Sequence, residues 1–240
     1  MDSSITHMEK LFNGFSLTDL GYRDYIAARF LLNNHFVVQG LTLASTAVEK
    51  YLKAVIVFNL QKKERYNYHF DRFEKIKNLL EKVNSDVTEE FDPVFVAILE
   101  NSFKIRYYDK IEKPIFMGLC INQFIGELDH TIYCLEKFIS KTQSGGQSMT
   151  QYSRAVKNNE PFLYQNNFIL NGQDKKEFME KPDVGFSIYI RISSAVHEEN
   201  VVKGGSIQNK YEGRIAEFKE FNTDLAFENQ FPQARNESKA

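Results

Sequence analysis

The stretch from Val37 to Leu60 constrains the fold more than any other part of the chain. Leu41, Ala44, Val48, Leu52, Val55 and Ile56 recur at three- and four-residue steps, the period that places side chains on one face of an α-helix. Gly40, Ala44, Ser45 and Ala47 keep the first turns slim, so that a neighbouring helix can approach closely. A helix this apolar must be enclosed by other elements, and it is expected at the centre of a bundle. The flanking apolar runs supply the partners. A first helix is predicted over Leu17–Asn33, capped by Ser16 or Thr18, with Leu20, Ile26, Ala27, Phe30 and Leu31 inward and Asn33-Asn34-His35 as its end. A third is predicted over Phe70–Val83, with Phe73, Ile76, Leu79, Leu80 and Val83 inward. A fourth covers Phe91–Ile105, with Pro93 in its first turn and Asp86 or Thr88 as a cap before it. A fifth runs over Phe116–Ser140 through Leu119, Phe124, Ile125, Leu128, Ile132, Leu135 and Phe138 or Ile139. Residues 1–142 therefore read as a mainly α, antiparallel up-and-down bundle of about five helices.

After this run the pattern changes. Gln143, Ser144, Gly145, Gly146, Gln147 and Ser148 have the composition of a linker, and a domain boundary is placed at 143–149. Residues 150–229 read as a small α+β extension. Phe186, Ile188, Ile190 and Ile192 alternate with Ser187, Tyr189, Arg191 and Ser193, the period of a strand. Phe162–Leu170 is a candidate partner strand in a β-hairpin, Lys203-Gly204-Gly205 a turn, and Tyr211–Phe221 a short helix through Tyr211, Ile215 and Phe218. Residues 230–240 are polar and are expected to be a disordered tail. So few elements make a thin core for an independent domain, so the extension is expected to pack on the bundle or on a partner.

Composition excludes several classes. A formal charge of -2 argues against a non-specific DNA binder, although it leaves room for a local basic groove. The chain has 21 Phe and 12 Tyr but no Trp, which suits an aromatic-rich core or a base-stacking surface. Cys120 and Cys134 are read on one helix, far too distant for a disulfide and without the close pairing of a zinc motif, so two thiols in a reducing compartment are expected. The N-terminal residues lack a signal-peptide pattern, and the apolar stretch Ala54–Leu60 is much shorter than a bilayer span, so a cytoplasmic protein is expected. There is no Gly-rich phosphate loop, no His-Glu-x-x-His and no Gly-x-Ser-x-Gly; His197-Glu198-Glu199 lacks the Pro-Cys-x-x-Cys of a deaminase. Neither a cofactor nor a metal site is expected.

Three segments, in order, carry a resemblance. Ala44-Ser45-Thr46-Ala47-Val48-Glu49-Lys50-Tyr51-Leu52-Lys53-Ala54 has small residues, then Glu, then Lys-Ala four residues later. His69 follows a polar loop at the start of the third predicted helix. Phe103-Lys104-Ile105-Arg106-Tyr107-Tyr108-Asp109 resembles an aromatic-Arg-Tyr-Pro-Asp segment, with Tyr108 where Pro is common. Over residues 16–140 this resembles the HEPN family. The resemblance implies an all-helical bundle with no strand before position 140, a homodimer, and a site where the Glu49–Lys53 turn faces Arg106. Glu49 and Lys53 form a favourable i,i+4 pair if solvated, and must be hydrogen-bonded if they face the interior. Arg106 suits bidentate phosphate binding, Tyr107 and Tyr108 suit base stacking, and Asp109 suits a ribose hydroxyl; the alternative is a helix-end Arg with tyrosines filling a corner.

Ribonucleases of this family, by the same resemblance, use an Arg followed four to six residues later by a His, with Arg stabilising phosphate charge and His as the base. After Arg106 the corresponding window holds Ile111, Glu112 and Lys113, with no His. A binding module for a nucleotide or RNA, with ligand residues Glu49, Lys53, Arg106, Tyr107, Tyr108 and Asp109, is the leading functional expectation. The others are a dimerisation scaffold whose C-terminal extension recruits a partner protein, and a divergent metal-independent ribonuclease. No membrane association is expected.

Overall fold

A computed structural model describes residues 7–59, 73–82, 86–105, 115–142, 149–181, 184–190 and 197–203. Its organising element is α2 (Val37–Asn59), which packs against α1 (His7–Asn33), α3 (Phe73–Lys82), α4 (Pro93–Ile105) and α5 (Ile121–Thr142). Every residue of the sequence-read stripe on α2 is buried, from Leu41 to Ile56. Each Leu, Val or Ile side chain of the stripe stabilises the fold by about 1.5–3 kcal/mol on burial. The slim first turns work as expected. A Cβ on Gly40 would sit 2.6 Å from Leu32 Cγ, and one on Gly21 of α1 would sit 2.9 Å from Tyr51 Cδ2, so glycine on each helix permits the α1–α2 approach. The chain turns between them at His35, whose φ of 64° places it in the left-handed region. There His35 N–H donates to Leu32 O and Phe36 N–H to Leu31 O, closing the helix in a Schellman motif.

Among the described residues the molecule is mainly helical, a helical bundle with added short elements, and no helix is long and apolar enough to cross a membrane. Several local expectations are corrected. The first helix begins at His7 rather than Leu17, so Ser16 and Thr18 do not cap it; Thr18 Oγ1 donates to Phe15 O within the helix. Its inward face is also rotated. Thr18, Tyr22, Tyr25, Ala28, Arg29 and Leu32 are buried, whereas Leu20 and Phe30 are 48% and 52% exposed. The buried stripe of α1 is rich in polar atoms that find partners in the interior, so hydrophobicity alone picks the wrong face. A 3-10 turn (Val87–Glu90) precedes α4, and Asp92, not Asp86 or Thr88, caps that helix by accepting from Phe95 N–H at 2.8 Å.

The largest departure lies before α5. Residues expected as its first turn form a strand, β1 (Ile115–Cys120), which contradicts the expectation of no strand before position 140. Cys120 therefore ends a strand while Cys134 lies on α5, and the two form no disulfide. β1 pairs antiparallel with β2 (Val184–Ile190), Ile115 opposite Ile190 and Cys120 opposite Gly185. β2 pairs antiparallel with β3 (His197–Lys203), giving the order β1-β2-β3. Consecutive branched and aromatic residues in Ile115-Phe116-Met117 suit either a strand or a buried helical turn, and the ladder offered by β2 decides between them. The expected tyrosine-bearing helix at 211–221, the Gly204-Gly205 turn and the tail lie outside the described residues.

Residues 150–181 hold three short helices, α6 (Gln151–Lys157), α7 (Pro161–Tyr164) and α8 (Lys175–Met179). The expected strand Phe162–Leu170 is therefore replaced by α7 and the turns after it. Pro161 at the first position and a pair of Asn residues in left-handed conformation, Asn159 (φ 51°) and Asn166 (φ 54°), favour turns over an extended run. Tyr152, Ala155 and Leu163 join the same core cluster as α2, and α6, α7 and α8 lie against α1 and α5.

Candidate functional site

Two polar constellations cross the interior between α1, α2, α5 and the 150–181 segment. The first is centred on Arg29, which is 2% exposed. Its Nη1 donates to Phe162 O at 3.0 Å and Leu163 O at 2.9 Å, and its Nη2 to Gln165 O at 2.6 Å. Its Nε lies 2.9 Å from Asp129 Oδ1, which also accepts from Tyr25 Oη at 2.7 Å; Asn167 Nδ2 donates to that hydroxyl at 3.3 Å. Burial alone would lower the Arg29 pKa, but Asp129 and the tyrosines raise it, and the side chain stays charged. Burial pushes the Asp129 carboxyl up to about 6 against the pull of Arg29 and Tyr25, so the pair is ionised at neutral pH. This network holds α7 onto α1 and is structural in character.

The second constellation borders solvent. A cleft of about 490 Å³ between α5 and α6 is lined by Tyr133, Glu136, Lys137, Ser140, Lys141, Tyr152, Ser153, Val156 and Leu170, within the size range of small-ligand pockets. Glu136 forms its floor and is 3% exposed. Its carboxylate accepts from Tyr51 Oη at 2.8 Å and from Thr150 Oγ1 at 2.7 Å. Thr150 is also the N-cap of α6, accepting from Ser153 N–H at 3.1 Å, so the residue that starts the helix also orients the acid. Burial, the largest influence, pushes Glu136 up to about 7 although both hydroxyl donors pull it down. Tyr152 closes the buried end of the cleft and packs edge-on against Tyr22. Tyr133, Lys137, Ser140 and Lys141 form the exposed rim along α5, with Lys137 Nζ 6.0 Å from the centre of the Tyr133 ring. The site thus combines two aromatic rings, one buried acid near its titration point, and two exposed cations.

Of the residues expected to bind ligand, Glu49 and Lys53 are described. Lys53 Nζ donates to Glu49 Oε1 at 2.6 Å, and Glu49 is only 7% exposed, so a solvated face is not its setting. Lys50 instead reaches Asp24 of α1 at 2.6 Å. Arg106, Tyr107, Tyr108 and Asp109 lie outside the described residues, as does His69. The cleft itself was not expected from sequence. Its signal is the Tyr133/Glu136/Lys137/Ser140 stepping of α5, which reads equally well as an exposed helix face until α6 folds back over it.

No family model matches the chain, and no significant match was found among curated proteins or solved structures.

Proposed function

We propose that the chain is a HEPN-like, non-catalytic binding module for a nucleotide or the end of an RNA strand, with the α5–α6 cleft as its pocket. The observation that carries the reading is the joint placement of Tyr133, Tyr152, Glu136, Lys137 and Lys141 around one cleft. A base has N–H edges that a carboxylate accepts and a π-face that tyrosine stacks on, and its phosphates suit paired lysines. The helical bundle and the Ala44–Ala54 segment, with its inward Glu49–Lys53 pair, support the family part of the reading; β1 weighs against it. The missing His after Arg106 supports binding without cleavage.

Thermal shift of the full chain with a nucleoside triphosphate and with short single-stranded RNA tests this. Stabilisation is expected in the millimolar range. The double variant Lys137→Ala/Lys141→Ala should lose most of it, and the salt dependence of RNA binding should flatten by roughly 1.4 logarithmic units per decade, about 0.7 per lost phosphate contact. Absence of any shift, or a shift that the double variant leaves intact, removes the cleft from consideration. The same measurement on Arg106→Ala tests whether the sequence-read site takes part.

A second reading, the dimerisation scaffold, is favoured by exposed apolar side chains. Met8 and Phe12 are 73% and 75% exposed on α1, and Phe30, Phe36 and Phe162 stand out at its other end, where Arg29 holds the Phe162 carbonyl. Exposed apolar side chains mark an interaction surface where they form a contiguous patch. Light scattering should then give twice the monomer mass, with Phe12→Glu/Phe30→Glu shifting the population to monomer. A monomeric parent chain at tens of micromolar would end this reading.

A further inference from the structure

We propose that Glu90, His130 and Cys134 form a binding site for one divalent transition-metal ion of the zinc type, with the fourth coordination position left to solvent. The three come from two elements. His130 and Cys134 are four residues apart on α5, so they project from the same face one turn apart. Glu90 is the last residue of the 3-10 turn packed against α5, and its backbone is held in place by its neighbours, Val87 and Phe91, which are both buried. One imidazole nitrogen, the Cys134 sulfur and one Glu90 carboxylate oxygen all lie within 4.8 Å of one another.

The spacing of the two α5 donors, which share a hydrogen-bond contact without an ion, also matches the spacing an ion would impose. Cys134 Sγ and His130 Nε2 are 3.7 Å apart. Zinc bonds of ~2.05 Å to nitrogen and ~2.3 Å to sulfur, at the tetrahedral angle, place the two donors about 3.6 Å apart. His130 presents Nε2 to Cys134, while its Nδ1 is buried and has no hydrogen-bond partner. Glu90 is exposed and has the freedom to close onto an ion held by the other two, whereas His130 and Cys134 are half-buried and pre-positioned.

Donor type selects the metal class. A thiolate with an imidazole and a single carboxylate disfavours Ca²⁺ and Mg²⁺, which take sets of oxygen ligands, and favours Zn²⁺, Co²⁺ or Ni²⁺. Three protein ligands and one open position is the coordination pattern of zinc sites that expose the ion to solvent. On binding, the S–H bond of Cys134 breaks, sulfur keeps the electron pair and bonds to the metal, and the proton leaves to solvent. Lys175, a cation felt at both His130 and Cys134, is paired with Glu127 Oε2 at 2.9 Å, which offsets its charge. The site shares no residue with the proposed nucleotide cleft and does not depend on that reading.

Untagged full chain, stripped with chelator, would be titrated with Co²⁺ and then with Zn²⁺. The expected result is one equivalent of Co²⁺ bound, with a near-ultraviolet thiolate-to-cobalt charge-transfer band and the intense visible bands of a four-coordinate ion, all removed by Zn²⁺. Zinc at a hundredfold excess over its Kd should raise Tm by about 5–10 °C. Cys134→Ser should abolish the charge-transfer band, and Glu90→Gln should weaken zinc binding by at least about tenfold, ~1.4 kcal/mol, while Glu89→Gln leaves it unchanged. Failure of the parent chain to bind Co²⁺ stoichiometrically, or binding without a thiolate band, overturns the site whatever the variants do. A band that survives in Cys134→Ser overturns it as well.

Discussion

Arg29→Ala is expected to lower the unfolding free energy by about 3–5 kcal/mol, the range for removing one member of a buried ion pair. The size follows from what the guanidinium leaves behind. Asp129 would remain fully buried with only the Tyr25 hydroxyl as donor, and its second oxygen already has no partner. The carbonyls of Phe162, Leu163 and Gln165 would lose their donor together. Arg29→Lys keeps the charge but cannot span three carbonyls and a carboxylate at once, so it should recover only a part. Replacing both members, Arg29→Met with Asp129→Leu, should also recover only a part, because an apolar pair removes the stranded charge but not the stranded carbonyls. Urea denaturation gives the free energies, and hydrogen exchange should show the loss concentrated in Pro161–Gln165. A cost below about 1 kcal/mol for Arg29→Ala would mean that the network carries little of the fold.

Glu136→Gln is expected to stabilise the chain at pH 8 and to flatten its pH dependence. Glu136 is raised from its ordinary 4.5 to about 7 by burial. A folded-state value above the unfolded one means that the native state binds the proton more tightly. Its contribution is fully present below about 4.5 and is lost as pH rises through 7, so parent stability should fall over that window. The shift corresponds to about 3 kcal/mol, an order-of-magnitude figure. Gln carries no charge to bury and still accepts from one of the two hydroxyls, so the variant should exceed the parent by about 1–3 kcal/mol at pH 8 and converge with it near pH 5. Asp129 is raised for the same reason and leaves a residual slope in both proteins, so the difference between the two curves is the readout. Parallel curves would show that Glu136 does not titrate in this range. If the cleft binds nucleotides, the same substitution should weaken that binding even as it stabilises the fold.

The helical character of residues 37–59, 93–105 and 121–142 is legible because their apolar residues repeat at helical spacing and most of them end up inside. Glycine positions such as Gly40 were legible for the same local reason. The face of α1 was not. Tyr25 and Arg29 are buried because Asp129, Asn167 and the α7 carbonyls wait for them, a hundred residues or more away in sequence, and Tyr22 packs on Tyr152 of α6. β1 was missed because a six-residue apolar run has no period of its own that separates a strand from a helical turn, and a ladder partner about seventy residues on decides it.

The candidate sites divide in the same way. His130 and Cys134, two of the three proposed metal ligands, are four apart on a legible helix, yet Glu90 joins them only when the turn before α4 packs against α5. Lys137 and Tyr133 read as an ordinary exposed face until Thr150 caps α6 and lays Tyr152 over it. Sequence by itself determined the helical character of α2, α4 and α5 and which stripe of α2 is core, because helical period and side-chain size act within a few residues. Only the tertiary structure decided which polar groups are buried and which side chains share a cleft. Those outcomes depend on desolvation and pairing between distant segments, and nothing local in the chain encodes them.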